Sequence, residues 1–274
     1  MNFQTFSNIF FSDLDNTMIY SYKHDIGDKK KCVELYQGRE VSYMTDSTLM
    51  CLGNLMQNGQ TLFVPVTTRT REQYSRILFP HIPDYALCCN GGVLLIDNVA
   101  DENWYAQSLS LIQNCAEELL LAKEFLEKEP TRTMDVRFID DLFVFTKSSQ
   151  PEDTLSRLKN ILNPELMDVF TNHVKIYAIP KVLNKGTAIQ RFLDYFFSPM
   201  NHPTTYAAGD SLFDIPMLLA ADVAFAPSSL LPDDFYKTYH NNENQNKQSR
   251  KTSALMRHDG PEIFSDWILH NIIS

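Results

Sequence analysis

Basic residues are scarce in this chain of 274 residues, and their shortage excludes one class of function. The sequence has 24 Lys and Arg against 34 Asp and Glu, which gives a formal net charge of -10 at pH 7. Proteins that bind nucleic acids need a basic surface, so the sequence predicts no nucleic-acid partner. A small anionic substrate remains compatible with this charge, because one local cation can reverse the field in a single pocket.

Long apolar runs and histidine clusters are also missing. The apolar run at residues 9–11 is too short for a signal peptide or a membrane span, so we expect neither a signal peptide nor a membrane partner. The seven histidines form no His-x-x-x-His pair and no cluster with cysteine. A zinc site is therefore not expected.

Cysteine is sparse, and its spacing suits neither a disulfide framework nor a zinc site. The odd number of thiols predicts reduced cysteines and a cytoplasmic location. The five residues are Cys32, Cys51, Cys88, Cys89 and Cys115. The chain does have enough apolar residues, 44% of the total, to bury a large core in one or two domains.

Two carboxylates follow the first apolar run directly. A buried strand ending at Ser12 would present Asp13 and Asp15 at its carboxyl end, and Asn16 favours a tight turn there. Closely spaced carboxylates suit a hard cation such as Mg²⁺, which takes oxygen ligands. The alternative is an acidic turn that caps a helix through hydrogen bonds from backbone N–H groups.

Alternating strand and helix signals predict the architecture of the core. Apolar runs at residues 61–66, 85–89 and 204–208 each end in a polar or glycine-containing segment. This alternation is typical of an α/β fold with a Rossmann-like, doubly wound parallel sheet. We also predict a hairpin around Gly38, which could overhang the acidic pair, a helix capped near Thr45 and a helix ending near Phe79. A mobile polar loop is predicted after His240, and a closing helix from Ile263.

The pattern changes between about residues 100 and 180. A helix at 107–128 precedes two strands, and a second helix from Pro151 precedes two more. The predicted strands are 134–139, 142–146, 167–171 and 174–179. Such a repeat predicts an α+β domain, 99–180, inserted into a core domain of 1–98 and 181–274. The alternative is that these strands extend the main sheet.

Six polar side chains are predicted to meet at one rim of the core sheet, because ligands bind beyond the carboxyl ends of parallel strands. Carboxylates, a hydroxyl and an ammonium together suit phosphoryl transfer through an aspartyl-phosphate. Singly, Thr67 could cap a helix, Lys185 could be solvated and Asp210 could simply end a strand. The six are Asp13, Asp15, Thr67, Lys185, Asp210 and Asp214.

These residues also resemble the motifs of haloacid dehalogenase superfamily phosphatases. Residues 13–17 (DLDNT) match the first motif, Thr67 the second, Lys185 the third, and Gly209-Asp210 with Asp214 the fourth. The insert resembles the type C2 cap of Cof-like members. Residues 64–70 (VPVTTRT) are similar to mannosyl-3-phosphoglycerate phosphatases, with sucrose-phosphate phosphatases as relatives.

The resemblance implies a role for each matched residue. Asp13 would be the nucleophile and Asp15 the general acid and base, while Thr67 and Lys185 would bind the transferring phosphoryl oxygens. Mg²⁺ would be held by Asp13, the backbone carbonyl of Asp15 and Asp210, with Asp214 orienting Lys185 or a metal-bound water. Two positions depart from the family pattern: Phe213 stands where Asn is frequent, which puts metal affinity in doubt, and Asn16 replaces a frequent Gly.

The expected reaction is Mg²⁺-dependent hydrolysis of a small phosphorylated metabolite, a sugar phosphate or a phosphorylated sugar acid. An insert that closes over the acidic pair would exclude water and add specificity. The alternatives are a phosphosugar mutase of the same fold and a non-catalytic sugar-phosphate-binding protein. Expected substrate contacts are Thr68, Arg69, Asn90, Gly91 and Lys185, with Asn172, His173 and Lys175 from the insert.

Overall fold

The computed structural model describes residues 6–197, 202–230 and 254–273, and the chain divides into two compact units. The first takes in the chain up to Gly91, Leu95–Val99 and the chain from Lys185. The second consists of Gly92–Leu94 and Ala100–Asn184. The domain boundaries after residues 98 and 180 remain a proposal.

Strands and helices alternate through most of the described chain. The strands are β1 (Asn8–Ser12), β2 (Tyr20–Ser21), β3 (Lys30–Tyr36), β4 (Arg39–Thr45), β5 (Thr61–Pro65), β6 (Tyr85–Cys88), β7 (Val93–Ile96), β8 (Val99–Ala100), β9 (Arg137–Ile139), β10 (Phe143–Lys147), β11 (Met167–Asn172), β12 (Lys175–Pro180), β13 (Thr204–Ala208), β14 (Val223–Pro227) and β15 (Ala254–His258). The helices are α1 (Asp46–Gln57), α2 (Arg71–Tyr74), α3 (Glu102–Leu111), α4 (Ala116–Glu127), α5 (Pro151–Lys159), α6 (Lys185–Phe196), α7 (Ile215–Ala220) and α8 (Phe264–Ile273).

A five-stranded parallel sheet forms the centre of the first unit, in the order β15-β14-β13-β1-β5. Strand β1 is apolar and buried almost throughout, as expected for a strand covered on both faces. Beyond its end, the Asp13 N–H donates to the carbonyl of Ala208 and the Val66 N–H donates to the carbonyl of Ser12. The carboxyl ends of β5, β1 and β13 are therefore neighbours.

Strand β15 was not predicted from the sequence. It pairs in parallel with β14, from Ala254 opposite Val223 to His258 opposite Pro227. Its side chains are half-buried or exposed, so it lacks the continuous apolar run that identifies the central strands. The predicted mobile loop, residues 240–253, lies outside the described residues.

A small antiparallel sheet, β2-β4-β3, follows the first acidic pair. The predicted hairpin is confirmed, and its turn places Gln37 at φ 52° and Gly38 at φ 76°. The β3–β4 register shifts on both sides of Glu34. A shift of this kind turns a side chain away from its regular direction.

The helices of the first unit agree with the sequence in part. The predicted cap of α1 is confirmed, because the Thr48 N–H donates to Oγ1 of Thr45. The helix predicted to reach Phe79 is wrong, since α2 ends at Tyr74. Its continuation pairs with β3 instead: the Leu78 N–H donates to the carbonyl of Val33. Tertiary pairing has overridden local helix propensity.

The second unit contains a four-stranded antiparallel sheet in the order β11-β12-β10-β9. Along the chain, α3 and α4 precede β9, and α5 lies between β10 and β11. The predicted helix-strand-strand repeat is confirmed, and the alternative that these strands extend the main sheet is wrong. The long helix expected at 107–128 is also wrong. Asp101 caps α3 well before the expected start, and a short 3-10 turn, Gln113–Cys115, separates α3 from α4.

The fold class is therefore α/β with a parallel core sheet and an inserted α+β unit, as predicted. None of the helices in the described ranges has the length and apolar character that crossing a membrane requires.

Candidate active site

Asp13 at the end of β1 is paired with a buried lysine. The Nζ atom of Lys185, the first residue of α6, donates to Oδ1 of Asp13 and to Oδ1 of Asp214, both at 2.5 Å. Lys185 is 1% exposed and Asp214 is fully buried, so the alternative of a solvated lysine is wrong. Buried charges require partners, and these three side chains supply them to one another.

Burial and neighbouring charges shift the proton affinities of this pair. Desolvation raises the pKa of the Asp13 carboxyl, the ammonium of Lys185 opposes that rise, and the carboxylates of Asp214 and Asp210 add to it. Desolvation alone would lower the pKa of Lys185, but Asp13 and Asp214 together raise it above its ordinary value. The two carboxylates therefore favour the charged form of Lys185 beside the candidate nucleophile.

Asp214 uses both carboxylate oxygens inside the protein. Its Oδ1 accepts from Lys185, while its Oδ2 accepts from the N–H groups of Asp210 and Ser211 at 3.1 and 2.9 Å and from the Ser211 hydroxyl at 2.8 Å. A Cβ atom on Gly209 would lie 2.3 Å from Cβ of Asp214. Glycine is thus required for the loop to wrap around Asp214.

Asp210 is the third carboxylate of this cluster. Its Oδ1 accepts a hydrogen bond from the hydroxyl of Thr17 at 3.1 Å. Desolvation raises the pKa of Asp210 to about 6, the charge of Asp214 adds to the rise, and the Thr17 hydrogen bond opposes it. The groups around Asp210 therefore offset only part of the cost of burying its negative charge.

The donor set fits a hard divalent cation. Asp13, Asp210 and Asp214 each offer an oxygen atom, and these atoms all lie within 4.8 Å of one another. Because Asp214 already has partners at both oxygens, Asp13 and Asp210 are the better direct ligands. All three offer carboxylate oxygens, the type of ligand that Mg²⁺ takes.

Asp15, two residues after Asp13, binds an arginine. Nε and Nη2 of Arg69 donate to Oδ2 and Oδ1 of Asp15, each at 2.8 Å, which is a bidentate ion pair. Burial alone would lower the pKa of Arg69, but the hydrogen bond and charge of Asp15 raise it. The predicted tight turn is confirmed, since Asn16 has φ 62° and its N–H donates to the carbonyl of Ile19. The alternative of a helix cap is wrong, because strand β2 follows.

Thr67 lies beyond β5 and is fully buried. Its hydroxyl accepts from the Arg69 N–H at 3.1 Å, so its own hydrogen can be donated to a ligand. The alternative that Thr67 caps the next helix is wrong, because Thr70 caps α2. Thr68 is half-buried in the same segment.

Asn90 and Gly91 form a turn bonded to the Thr67 segment. The Asn90 N–H donates to the carbonyl of Thr67, and the Cys89 N–H donates to the carbonyl of Arg69, both at 2.9 Å. Asn90 is 3% exposed and has φ 59°, and Gly91 has φ 88°. The structure thus brings Thr67, Arg69 and this turn together.

Sequence reasoning missed several partners of these residues. Thr17 and Ser211 lie within the recognised motifs, where their hydroxyls could have been suspected. Glu34 lies in the hairpin, and its Oε2 is 3.0 Å from Nη1 of Arg69. No spacing in the sequence connects Glu34 with Arg69, because the register shift in β3 determines where Glu34 points.

Some expectations stay predictions. Phe213 is half-buried beside Asp214, and its effect on metal affinity stays a prediction. Asn172, His173 and Lys175 lie at the turn between β11 and β12 in the second unit, and their contact with a substrate remains a prediction.

A family model for haloacid dehalogenase-like hydrolases matches residues 96–228. This segment contains Lys185, Asp210 and Asp214. The resemblance read from the motifs is confirmed. This match makes the chain similar to haloacid dehalogenase-like hydrolases over just under half of its length. No curated protein matches its sequence.

Solved structures share the haloacid dehalogenase-like fold over nearly the whole chain. The sucrose-phosphatase of Synechocystis sp. PCC6803, in complex with sucrose and phosphate, is 17% identical with TM-score 0.59, covering 98% of this chain and 97% of that one. The yhjK protein of Bacillus subtilis is 13% identical with TM-score 0.55, covering 98% and 92%. A HAD/COF-like hydrolase from Plasmodium vivax is 14% identical with TM-score 0.55, covering 99% and 97%.

Proposed function

We propose that the protein is a Mg²⁺-dependent phosphatase that hydrolyses a small phosphomonoester through an aspartyl-phosphate on Asp13. The observation that carries the proposal is the contact of Lys185 with both Asp13 and Asp214 beside Asp210. Separate chain segments supply these residues, and all lie beyond the carboxyl ends of core strands or at the start of α6. A helix cap or a surface ion pair does not require this convergence.

Asp13 and Asp210 would hold Mg²⁺, together with the backbone carbonyl of Asp15. Asp214 would hold Lys185 and the backbone of Asp210 in place through its hydrogen bonds. When bound, Mg²⁺ would offset negative charge on the substrate phosphoryl group. Lys185 would do the same with its ammonium, and the Thr67 hydroxyl would donate to another phosphoryl oxygen.

The reaction would proceed in two displacements. An oxygen of Asp13 forms a bond to phosphorus while the bond from phosphorus to the leaving alkoxide breaks, and Asp15 gives its proton to that alkoxide. Asp15 then takes a proton from water as the water oxygen attacks phosphorus. The Asp13–phosphorus bond breaks, which releases phosphate and restores both carboxyl groups.

A phosphorylated sugar or sugar acid is the proposed substrate. Its support is the fold shared with a sucrose-phosphatase whose structure holds sucrose and phosphate. Thr68, Arg69, Asn90 and Gly91, grouped beside Thr67, are the proposed contacts of the first unit. We also propose a cytoplasmic location, since the five cysteines are free thiols.

The test is phosphate release from a panel of phosphorylated sugars, sugar acids and nucleotides, with Mg²⁺ or with chelator. We expect release from a sugar phosphate that needs Mg²⁺ and falls by at least about 10³-fold in Asp13→Asn, which keeps the shape but removes the nucleophile. Release that persists in Asp13→Asn contradicts the mechanism. Faster release from nucleotides than from every sugar compound contradicts the substrate class, and isomerisation without release would indicate a mutase.

A further inference from the structure

Glu34 is a buried carboxylate in the hairpin that the proposed mechanism does not use. Its side chain is 1% exposed and contacts two arginines. Nε and Nη2 of Arg76 donate to Oε1 at 3.1 and 3.0 Å, while the hydroxyl of Ser42 donates to Oε2 at 2.7 Å. Nη1 of Arg69 also lies 3.0 Å from Oε2. Glu34 is thus fixed by groups from β4 and from the chain after α2.

Arg69 connects Glu34 with Asp15, because its guanidinium binds both carboxylates. Nη1 of Arg69 is bound to Glu34, while its Nε and Nη2 hold both oxygens of Asp15. The guanidinium is planar, so its direction is set once one edge is held. The two carboxylates therefore lie along the same guanidinium, one buried in the hairpin and one at the candidate active site.

Exposure decreases steadily along this chain of contacts. The side chain of Asp15 is 51% exposed, that of Arg69 is 12% exposed and that of Glu34 is 1% exposed. An exposed carboxylate by itself samples several rotamers, whereas one held by a buried, doubly bonded arginine does not. A general base must stand within hydrogen-bond distance of the water that it deprotonates, and a carboxylate that accepts from Arg69 at both oxygens is in the charged form that this step needs. The restriction therefore matters for the second displacement.

We propose that Glu34 is a positioning residue that aims Arg69 at Asp15 and so orients the acid–base carboxylate for the proposed reaction. The inference rests on the proposed function, but the geometric part of it can be tested separately. Glu34 is placed to do this by the register shift in β3, which turns its side chain towards Arg69.

The test is a double-mutant cycle measured with p-nitrophenyl phosphate and Mg²⁺. Glu34→Gln keeps the shape of the side chain but removes its charge, and we expect kcat to fall about 10-fold with KM changed less than about 2-fold. In an Arg69→Ala background the same substitution should change kcat by less than about 2-fold. An equal loss in both backgrounds would show that Glu34 only supports the fold, and would overturn the proposal.

The second unit offers a matched control. Glu129 is also a fully buried carboxylate paired with an arginine, Arg157, at 2.6 Å. Glu129→Gln should keep kcat near the wild-type value, and a loss as large as that of Glu34→Gln would contradict a specific effect. If Glu34→Gln does not fold, Ser42→Ala removes only the hydrogen bond to the Oε2 atom that Arg69 shares. It should lower kcat about 3-fold in the wild-type background and not in Arg69→Ala.

Crystal structures of the wild type and Glu34→Gln at one pH separate this inference from the proposed function. We expect Arg69 to keep both bonds to Asp15 in the wild type and to lose at least one in Glu34→Gln. An unchanged Arg69–Asp15 pair would overturn the positioning role. Absence of Mg²⁺-dependent release by the wild type would instead contradict the phosphatase, while the two structures still decide whether Glu34 aims Arg69.

Discussion

At the scale of single residues, burial changes what a polar side chain does. Tyr20 is 6% exposed, and its hydroxyl donates to the carbonyl of Thr17 and accepts from the N–H of Ser265. Desolvation raises the pKa of Tyr20 to about 12, against the opposing hydrogen bond from Ser265. The unfolded chain would release this proton near the ordinary tyrosine pKa of about 10.

This shift predicts a dependence of stability on pH. Between about pH 10 and about pH 12 the unfolded state ionises Tyr20 and the folded state does not, so the free energy of unfolding should fall by up to about 1.4 kcal/mol per pH unit. Tyr20→Phe removes this ionisation. Urea unfolding of both proteins should give a constant difference below about pH 9, and above about pH 10 the difference should move in favour of the variant. A difference that stays constant up to about pH 11 contradicts the prediction.

At the scale of elements, the start of α6 positions Lys185 through its contact with α7. A Cβ atom on Gly186 would lie 2.4 Å from the backbone oxygen of Pro216, which cannot move as a side chain can. We expect Gly186→Ala to displace α6, to lower the free energy of unfolding by about 1–3 kcal/mol and to reduce kcat, because Lys185 moves with the helix.

Gly53 in α1 is the matched control for this prediction. A Cβ atom there would meet its nearest neighbour, Cβ of Pro80, at 3.4 Å, an ordinary contact. Gly53→Ala should therefore stabilise the protein by about 0.5–1 kcal/mol, as expected for alanine in a helix interior. Urea unfolding and steady-state kinetics measure both variants. Equal stability of the two would contradict the crowding at Gly186.

The same scale shows which elements the sequence could predict. The central strands and the hairpin were predictable because their apolar runs and turn residues act locally. The early end of α2 was not, since Leu78 bonds to Val33 of a distant strand. The site divides in the same way: Asp13, Lys185 and Asp210 could be recognised from ordered motifs, whereas Glu34 reaches Arg69 only through an irregular strand register.

At the scale of the whole molecule, the acidic cluster predicts that Mg²⁺ stabilises the fold. An ion that binds only the folded state raises the free energy of unfolding by about 2.7 kcal/mol at one hundred times its dissociation constant. We expect thermal unfolding to move to higher temperature with Mg²⁺ and to return after chelation. Asp210→Asn should lose most of this shift.

Asp135 provides the control for metal binding, because its carboxylate is fully exposed and lies in the second unit. Asp135→Asn should keep the wild-type response to Mg²⁺. A full response in Asp210→Asn would place the ion elsewhere and would contradict the ligand set proposed here.

The position of β1 between β13 and β5 has a consequence for how this protein can diversify. The backbone on either side of the candidate nucleophile is bonded to both neighbouring strands, at Ala208 and at Val66. Substitutions that reshape this strand would disturb both neighbours at once, so few would be tolerated during evolution. New ligand preferences should therefore arise in the loops around the strand ends rather than in β1 itself.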